Sequence, residues 1–148
     1  MIKIHPNTVF INGAISPAWI ANAIQSHHTQ KHTGGHSIFL GQVRMDIIDN
    51  KPVEAIEYTT YTEMAIDALQ LMCTELEKKY ALDAIQVNHS LGIVNAGEIC
   101  LFVFTSAKHR RAAVDACTEL VELIKAELPV WGREIFSDQT HSWKENKN

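Results

Sequence analysis

A cluster of basic side chains, Lys-His-Arg-Arg, occupies residues 108–111. Thr105 or Ser106 before it is a good helix N-cap, so the cluster is predicted to lie in the first turns of a helix. A helix N-terminus already carries partial positive charge, which makes each added cation unfavourable by ~0.3–1 kcal/mol. A bound anion reverses that sign, because backbone N–H groups and cationic side chains would converge on it. The pattern therefore indicates an anion site, phosphate being the obvious ligand; the alternative is a solvated charged surface.

Three other stretches contain residues that could serve such a site. Arg44 ends the run GQVR beside a turn, where it could bind an anion or pair with an acidic residue. Lys125 lies late in a predicted helix, a favourable place for any cation, and a chemical role would need its amine partly desolvated. Residues 129–134, PVWGRE, could form a turn in which Trp131 is packed. Alternatively, the glycine could let a ligand approach the backbone closely, with Arg133 as a further cation.

The histidine-rich loop at residues 27–35 offers a weaker alternative. His28 and His32 are four residues apart, a spacing that binds metal when the segment is helical. The neighbouring threonines and glycines favour a loop instead, so no metal site is predicted. The sequence contains no G-x-S-x-G, P-loop or G-x-G-x-x-G motif, so no familiar nucleophile or nucleotide-binding signature stands out.

The composition is typical of a single domain, expected over residues 1–148 with a partly flexible tail from about residue 137. Hydrophobic residues make up 46% and charged residues 20%, and the net charge of −4 argues against a general nucleic-acid binder. No apolar run approaches the ~20 residues of a membrane span, and the first ten residues do not resemble a signal peptide. Cys73, Cys100 and Cys117 lie in apolar segments and are predicted to be buried thiols of a cytoplasmic protein.

Hydrophobic periodicity and capping signals predict the element order β-α-β-β-α-β-β-α-β. Adjacent strand pairs with separated helices favour an α+β fold over a parallel doubly wound sheet. Two predicted helices carry apolar stripes that must face a core, Ala65, Leu69, Met72 and Leu76 in one, and Ala113, Ala116, Leu120 and Ile124 in the other. The predicted strands are 2–4, 36–44, 53–61, 85–91, 99–105 and short segments after residue 130. The first predicted helix runs from 17 to about 26. The second runs from a Thr60–Glu63 capping box to about 80, and the third from 106 to just before Pro129.

Five segments occur in a characteristic order: FLGQVR (39–44), AIEYTTYTEMA (55–65), HSLGIVNAGE (89–98), TSAKHR (105–110), and the run from His109 through Lys125 to PVWGRE. Together they resemble the catalytic (large) subunit family of molybdopterin synthase, over about residues 36–145. No one segment is decisive, but their order, and the spacing from the His-Arg pair to the lysine and then to the tryptophan, match the family.

The resemblance implies an α/β hammerhead fold, an antiparallel sheet packed with helices plus a small β subdomain. It implies a homodimer within a heterotetramer, whose small ubiquitin-like partner carries a thiocarboxylate on its C-terminal Gly-Gly. The implied reaction is a sulfur transfer that converts cyclic pyranopterin monophosphate to the dithiolene of molybdopterin, a step of molybdenum cofactor biosynthesis. No cofactor, metal, nucleic acid or membrane is expected to take part.

The resemblance also assigns site residues by their matching positions. Lys125 matches the principal catalytic lysine, and the cationic helix start would then receive the anionic pterin phosphate. Sulfur would arrive on the partner's tail, so the three cysteines need not react. The expected substrate-binding residues are Gln42, Val43, Arg44, His109, Arg110, Gly132, Arg133 and Glu134.

Two positions depart from the family pattern. Gly132 stands where the family usually has a second lysine, and Arg133 after it could bind charge but could not act as an amine base. Lys108 is inserted into the usual Ser-Ala-His-Arg, which either shifts the helix start or supplies the missing amine. Gly132 keeps a second hypothesis open, a non-catalytic anion- or nucleotide-binding domain of the same fold.

The spacing within the predicted helix constrains the site further. His109 and Lys125 are sixteen residues apart, which is roughly 24 Å along a helix at 1.5 Å per residue. One pterin pocket does not easily reach both from a single chain. We therefore expect each site to be shared across a dimer, with His109 and Arg110 of one chain facing Lys125 of the other.

Overall fold

The structure is a computed structural model that describes residues 6–138 and 140–144. The predicted strand at residues 2–4 lies outside the described residues, as do position 139 and residues 145–148 of the predicted flexible tail. The helices are α1 (Pro6–Val9), α2 (Pro17–Ser26), α3 (Thr62–Tyr80) and α4 (Arg110–Glu127). The strands are β1 (Phe10–Asn12), β2 (Gly35–Gln42), β3 (Ile47–Ile48), β4 (Lys51–Thr60), β5 (Ala84–Asn95), β6 (Ile99–Ala107), β7 (Val130–Phe136) and β8 (His141–Trp143).

The strands form one sheet in the order β2-β6-β5-β4-β7-β8, and every neighbouring pair along this path is antiparallel. β3 pairs with β4, and the short β1 runs parallel to β5, which the sequence did not predict. The α+β prediction is confirmed, because the long helices connect antiparallel strands instead of crossing between parallel ones. β2 is the edge strand at one end of the sheet.

The main core lies between the sheet and the pair α3 and α4. Both predicted apolar stripes are buried there, as the three- and four-residue spacing requires. A smaller cluster on the other face packs α2 against Phe102 and Phe104 of β6. Cys73, Cys100 and Cys117 are buried free thiols, as predicted. Within the described residues, no helix is both long enough and apolar enough to cross a membrane.

The predicted start of the basic helix is wrong by about three residues. Thr105 and Ser106 are buried in β6, where Ser106 pairs with His36 of β2, and the N-cap of α4 is His109. Pairing on both sides of β6 extends the strand to Ala107, and this outweighs the local preference of Thr and Ser for an N-cap. Arg110 is therefore the first residue of the helix, and its first turn contains no acidic residue.

The Thr60–Glu63 capping box is also wrong. The N-cap of α3 is Tyr61, and no side chain caps the helix. Thr60 still belongs to β4, and its hydroxyl donates a 2.7 Å hydrogen bond to the carbonyl oxygen of Pro129. The Thr60 hydroxyl therefore bonds to the segment after α4, although the local sequence pattern predicted that it would cap α3. Ser16 does cap α2 as predicted, its hydroxyl accepting from the Trp19 N–H at 3.1 Å.

Candidate active site

A cavity of about 730 Å³ lies where the end of β2, the last turns of α4 and one face of β4, β7 and β8 meet. Its size is within the roughly 300–1,000 Å³ common for small-molecule sites. Gln42, Val43, Arg44, Lys125 and Glu134 all line it. Five of the nine predicted site residues, from separate segments of the chain, thus share one cavity.

Lys125 also lines a second, narrow cavity of about 80 Å³. Gly132 and Trp131 of β7, buried His89 of β5, and Lys144 line this smaller space. Lys125 and Lys144 are common to both cavities, so two cationic side chains stand where the two meet. Lys125 lies in the last turn of α4, where the helix dipole favours a cation.

Two rows of residues run across β4, β7 and the β8 segment on the cavity side. One row contains Ile56, Glu134 and Ser142, and all three line the large cavity. The next row contains Tyr58 opposite Gly132, and Gly132 accepts a 2.8 Å hydrogen bond from the Lys144 N–H. Residues directly opposite on antiparallel strands point to the same face, so the sheet register places these side chains together.

The backbone becomes irregular at the end of β2, and the side chain of Arg44 just beyond it faces solvent. A register shift between Gly41 and Gln42 ends regular pairing with β6. Val43 is buried, its N–H donates to the Glu98 carbonyl at 3.0 Å, and its own carbonyl accepts from Gly97 at 2.8 Å. The Arg44 side chain is 73% exposed and forms a 3.2 Å ion pair with Asp46. Both interpretations of Arg44 therefore apply: it has an acidic partner and it lines the cavity.

Arg133 lies apart from these residues. It pairs with Glu57 directly across from it on β4. Side chains alternate along a strand, so Arg133 points away from the face that Gly132 and Glu134 present to the cavities. The expectation that Arg133 replaces a pocket cation thus has no support in the geometry.

His109 and Arg110 lie at the opposite end of α4 from Lys125, roughly 24 Å away along the helix. They sit beside the start of β2: a Cβ on Gly35 would come within 3.0 Å of the Arg110 Cα, and one on Gly34 within 2.2 Å of the Lys108 carbonyl oxygen. The two glycines are required for this close approach. Neither His109 nor Arg110 lines the cavities that contain Lys125.

The large cavity carries balanced charge within one chain. Its cationic side chains are Arg44, Lys125 and Lys144, and its acidic ones are Asp46, Glu122 and Glu134. Glu134 is only 5% exposed, so little water screens electrostatic interactions at its position. Summed over the lining, positive and negative side chains cancel, so a highly charged anion would bind more tightly with added positive charge.

Several cavity residues were not assigned from the sequence. The Tyr58 hydroxyl donates to the Cys100 sulfur at 3.4 Å, and that thiol donates to the Gly41 carbonyl at 3.5 Å. Burial and the neighbouring thiol raise the pKa of Tyr58 well above its ordinary value, so it stays a neutral donor. Tyr58 follows the alternation of β4 and could have been found from it.

His89 is the other unassigned buried group. Its Nδ1 lies 2.8 Å from the carbonyl oxygen of Ser90, so Nδ1 carries the hydrogen and Nε2 is the acceptor nitrogen. Burial lowers the pKa of His89 to about 4, and the charge of Lys125 adds to this effect. His89 is therefore a neutral imidazole at physiological pH. Its ring meets Tyr58 edge-on, with centroids 4.9 Å apart.

His27, at the start of the histidine-rich loop, packs against the sheet. His27 stacks on Phe104 with centroids 4.2 Å apart, and its Nε2 lies 2.8 Å from the Gln86 side-chain oxygen. Over residues 6–138 and 140–144, no three His, Cys, Asp or Glu side chains come together in a way that could hold a metal ion.

The family match and the most similar curated proteins point to the same family. Residues 13–127 match the family described as MoaE protein. Molybdopterin synthase catalytic subunits from rat and zebra finch are each 33% identical, over 114 and 117 residues, or 77% and 78% of this chain. The matched part spans 56% of the rat protein's length and 74% of the zebra finch protein's length. The cattle protein of the same name is 32% identical, and the matched part spans 60% of its length.

Solved structures share the fold. A molybdopterin synthase from Staphylococcus aureus superposes with a TM-score of 0.82 at 22% identity, covering 96% of this chain and 98% of that one. A chain from the complex of subunits 1 and 2 of the molybdopterin-converting factor of Helicobacter pylori gives 0.80 at 20% identity, covering 95% and 91%. From the family match and the relatives' identity, this chain belongs to the MoaE protein family.

Proposed function

We propose that this chain is the catalytic subunit of a molybdopterin synthase, a sulfurtransferase that converts cyclic pyranopterin monophosphate to molybdopterin. The observation that carries the proposal is the position of Lys125, which lines a cavity of small-molecule size and a narrow cavity beside it. A two-substrate sulfur transfer needs such a junction. The pterin would occupy the large cavity, and the partner's tail would enter through the narrow one.

The narrow cavity suits a peptide tail without side chains. About 80 Å³ lies between Gly132, Trp131, His89 and Lys125, which leaves little room beyond a backbone. A Gly-Gly terminus is the kind of chain end that fits there, because it has no Cβ atoms to place. We propose a small ubiquitin-like subunit with that terminus, bearing a thiocarboxylate, as the partner.

The pterin phosphate would be bound by cations of a second copy of this chain. The cavity's own charges balance, while His109 and Arg110 stand at the far end of α4, with Lys108 and Arg111 beside them. A homodimer that brings this helix start to the neighbouring cavity would supply positive charge and backbone N–H groups to the phosphate. The anion site and the lysine would then belong to one shared active site.

The edge strand β2 offers a surface for that dimer. Among the strands that the structure describes, none pairs with its outer side, and Ile38 and Leu40 on it are 39% and 42% exposed. A long exposed edge with apolar side chains favours pairing with another strand. Gly35 and Gln42 are about 24 Å apart along the strand, which equals the separation of His109 and Lys125 along α4. Antiparallel pairing of two β2 strands would place the helix start of one copy beside the cavity of the other.

Within such a site Lys125 would stabilise the charge that develops as sulfur attacks the pterin, or transfer a proton. His109, Arg110 and Arg44 would orient the substrate through its phosphate. Buried free thiols at Cys73, Cys100 and Cys117 are consistent with a reducing, cytoplasmic compartment. We propose one domain over residues 1–148, since the described strands share a single sheet.

A reconstitution tests the proposal. Purified protein would be mixed with the thiocarboxylated small subunit of the same organism and cyclic pyranopterin monophosphate, and dithiolene formation followed. Lys125→Ala should abolish turnover while leaving the unfolding transition and partner binding intact. Lys78→Ala is the matched control, because Lys78 is an exposed lysine in the last turn of the other long helix.

Either half of this experiment can contradict the proposal. Partner binding without product from the wild-type protein would favour the alternative, a non-catalytic anion- or nucleotide-binding domain of the same fold, with Gly132 as the departure responsible. Product from Lys125→Ala above a few per cent of wild type would show that the lysine is not the catalytic group.

A further inference from the structure

We propose that Lys144 is the second cation of the active site and binds the terminal carboxylate or thiocarboxylate of the partner's tail where the two cavities meet. The inference rests on the proposed function, since the tail is part of it. Lys144 lies just after the short edge strand β8 and beyond Glu134, the last site residue assigned from the sequence. No residue pattern near it predicts a role.

The sheet register directs Lys144 toward the cavities. Arg133 pairs with Trp143 and Glu134 with Ser142, so Gly132 lies opposite Lys144, and the Lys144 N–H donates to the Gly132 carbonyl at 2.8 Å. Cross-strand neighbours share a face, so Lys144 projects from the face that Gly132 shares with Tyr58. The residue is partly buried, unlike the three exposed residues of β8 before it.

Position 132 itself has no space for a side chain. A Cβ on Gly132 would lie 2.8 Å from the Ile56 Cγ2 and 3.3 Å from the Tyr58 Cε1. Both neighbours are core-facing side chains of β4, so a larger residue would displace them. A cation over this part of β7 must therefore come from the next strand along the sheet, and Lys144 is opposite the gap.

The place where the two cavities meet is where a tail would end. Lys125 and Lys144 line both cavities, so a chain in the narrow cavity would present its terminal group between them. That group is an anion in either form, carboxylate or thiocarboxylate. Glu134 and Glu122 also line the large cavity, and a second ammonium group would offset their repulsion of the tail's negative charge.

A double-mutant cycle tests the contact. The affinity of the carboxylate-terminated small subunit would be measured by calorimetry for the wild-type protein and for Lys144→Gln, Lys144→Arg and the control Lys78→Ala. The measurement would be repeated with a small subunit lacking its last two glycines. Lys144→Gln should weaken binding of the full-length partner roughly tenfold, as expected for a hydrogen-bonded charge, and binding of the shortened partner by less than about twofold. Lys144→Arg should retain most of the affinity, since it keeps the charge.

Equal weakening toward both partners would overturn the contact, because loss of local structure around β8 does not depend on the glycines. So would unchanged affinity of Lys144→Gln for the full-length partner. Dithiolene formation by the same proteins separates the two proposals. A wild-type protein that turns over while Lys144→Gln binds normally contradicts only the role of Lys144. A wild-type protein that neither binds the partner nor turns over contradicts the proposed function as well.

Discussion

The hydroxyl of Thr105 donates a 2.7 Å hydrogen bond to the carbonyl oxygen of Ala113, which ties the end of β6 to the start of α4. Thr105 is buried, so water does not replace this bond when it is lost. The basic residues 108–111 lie between these two positions, so the bond restricts the conformational freedom of the segment that carries them. We therefore expect this contact to help position His109 and Arg110.

Thr105→Val should lower the free energy of unfolding by about 1 kcal/mol, because a buried hydrogen bond disappears with little change of volume. Urea unfolding followed by circular dichroism measures the loss. Thr118→Val is the control, since the Thr118 hydroxyl bonds the Val114 carbonyl on the exposed side of the same helix. Equal losses for the two variants would contradict a special role for the buried contact.

Mixed dimers should recover activity that neither parent variant has. Lys125→Ala and Arg110→Ala should each be inactive alone, because each removes one half of a shared site. After co-expression at equal levels, about half of the dimers are mixed and each contains one intact site, so about a quarter of wild-type activity is expected. Dithiolene formation measures it. Absence of recovered activity, with mixed dimers verified by mass spectrometry, would place both residues in a site formed by one chain.

His89 should make stability fall as the solution is acidified. Its pKa is lowered from 6.5 to about 4 in the folded protein, so between these values the unfolded chain binds the proton and the folded chain does not. The contribution is present above pH 6.5 and is lost as the pH falls toward 4. Between pH 7 and pH 5 it amounts to about 2 kcal/mol of unfolding free energy. His89→Gln should show a shallower pH dependence by that amount in urea unfolding; an unchanged slope would contradict the buried neutral state.

Ile38→Asp should convert the proposed dimer to a monomer, because a charge on the β2 edge opposes strand pairing. Sedimentation velocity measures the change, and dithiolene formation should fall with it. Leu71→Asp is the matched control, since Leu71 is an exposed apolar residue on α3, a helix that packs against α4 and β5. A wild-type monomer, or an unaltered dimer of Ile38→Asp, would contradict pairing through β2.

The fold class and both helix stripes could be predicted from the sequence because they depend on local periodicity. Leu69 and Leu120 repeat at helical spacing and both are buried in the core. The N-caps of α3 and α4 could not be predicted, since Thr60 and Thr105 have long-range partners that outweigh their preference for capping. A short capping motif predicts a helix start only where its hydroxyl has no hydrogen-bond partner elsewhere in the fold.

The residue types already indicate an anion site, and the sixteen-residue spacing of His109 and Lys125 already requires that one helix hold them far apart. Which of these residues share a cavity depends instead on how the strands pair in the folded chain. Strand register turned Arg133 away toward Glu57, brought Lys144 opposite Gly132, and placed His89 beside Lys125. Register joins segments that are distant along the chain, and a shift of one residue would reverse every one of these orientations, so no local pattern contains that information.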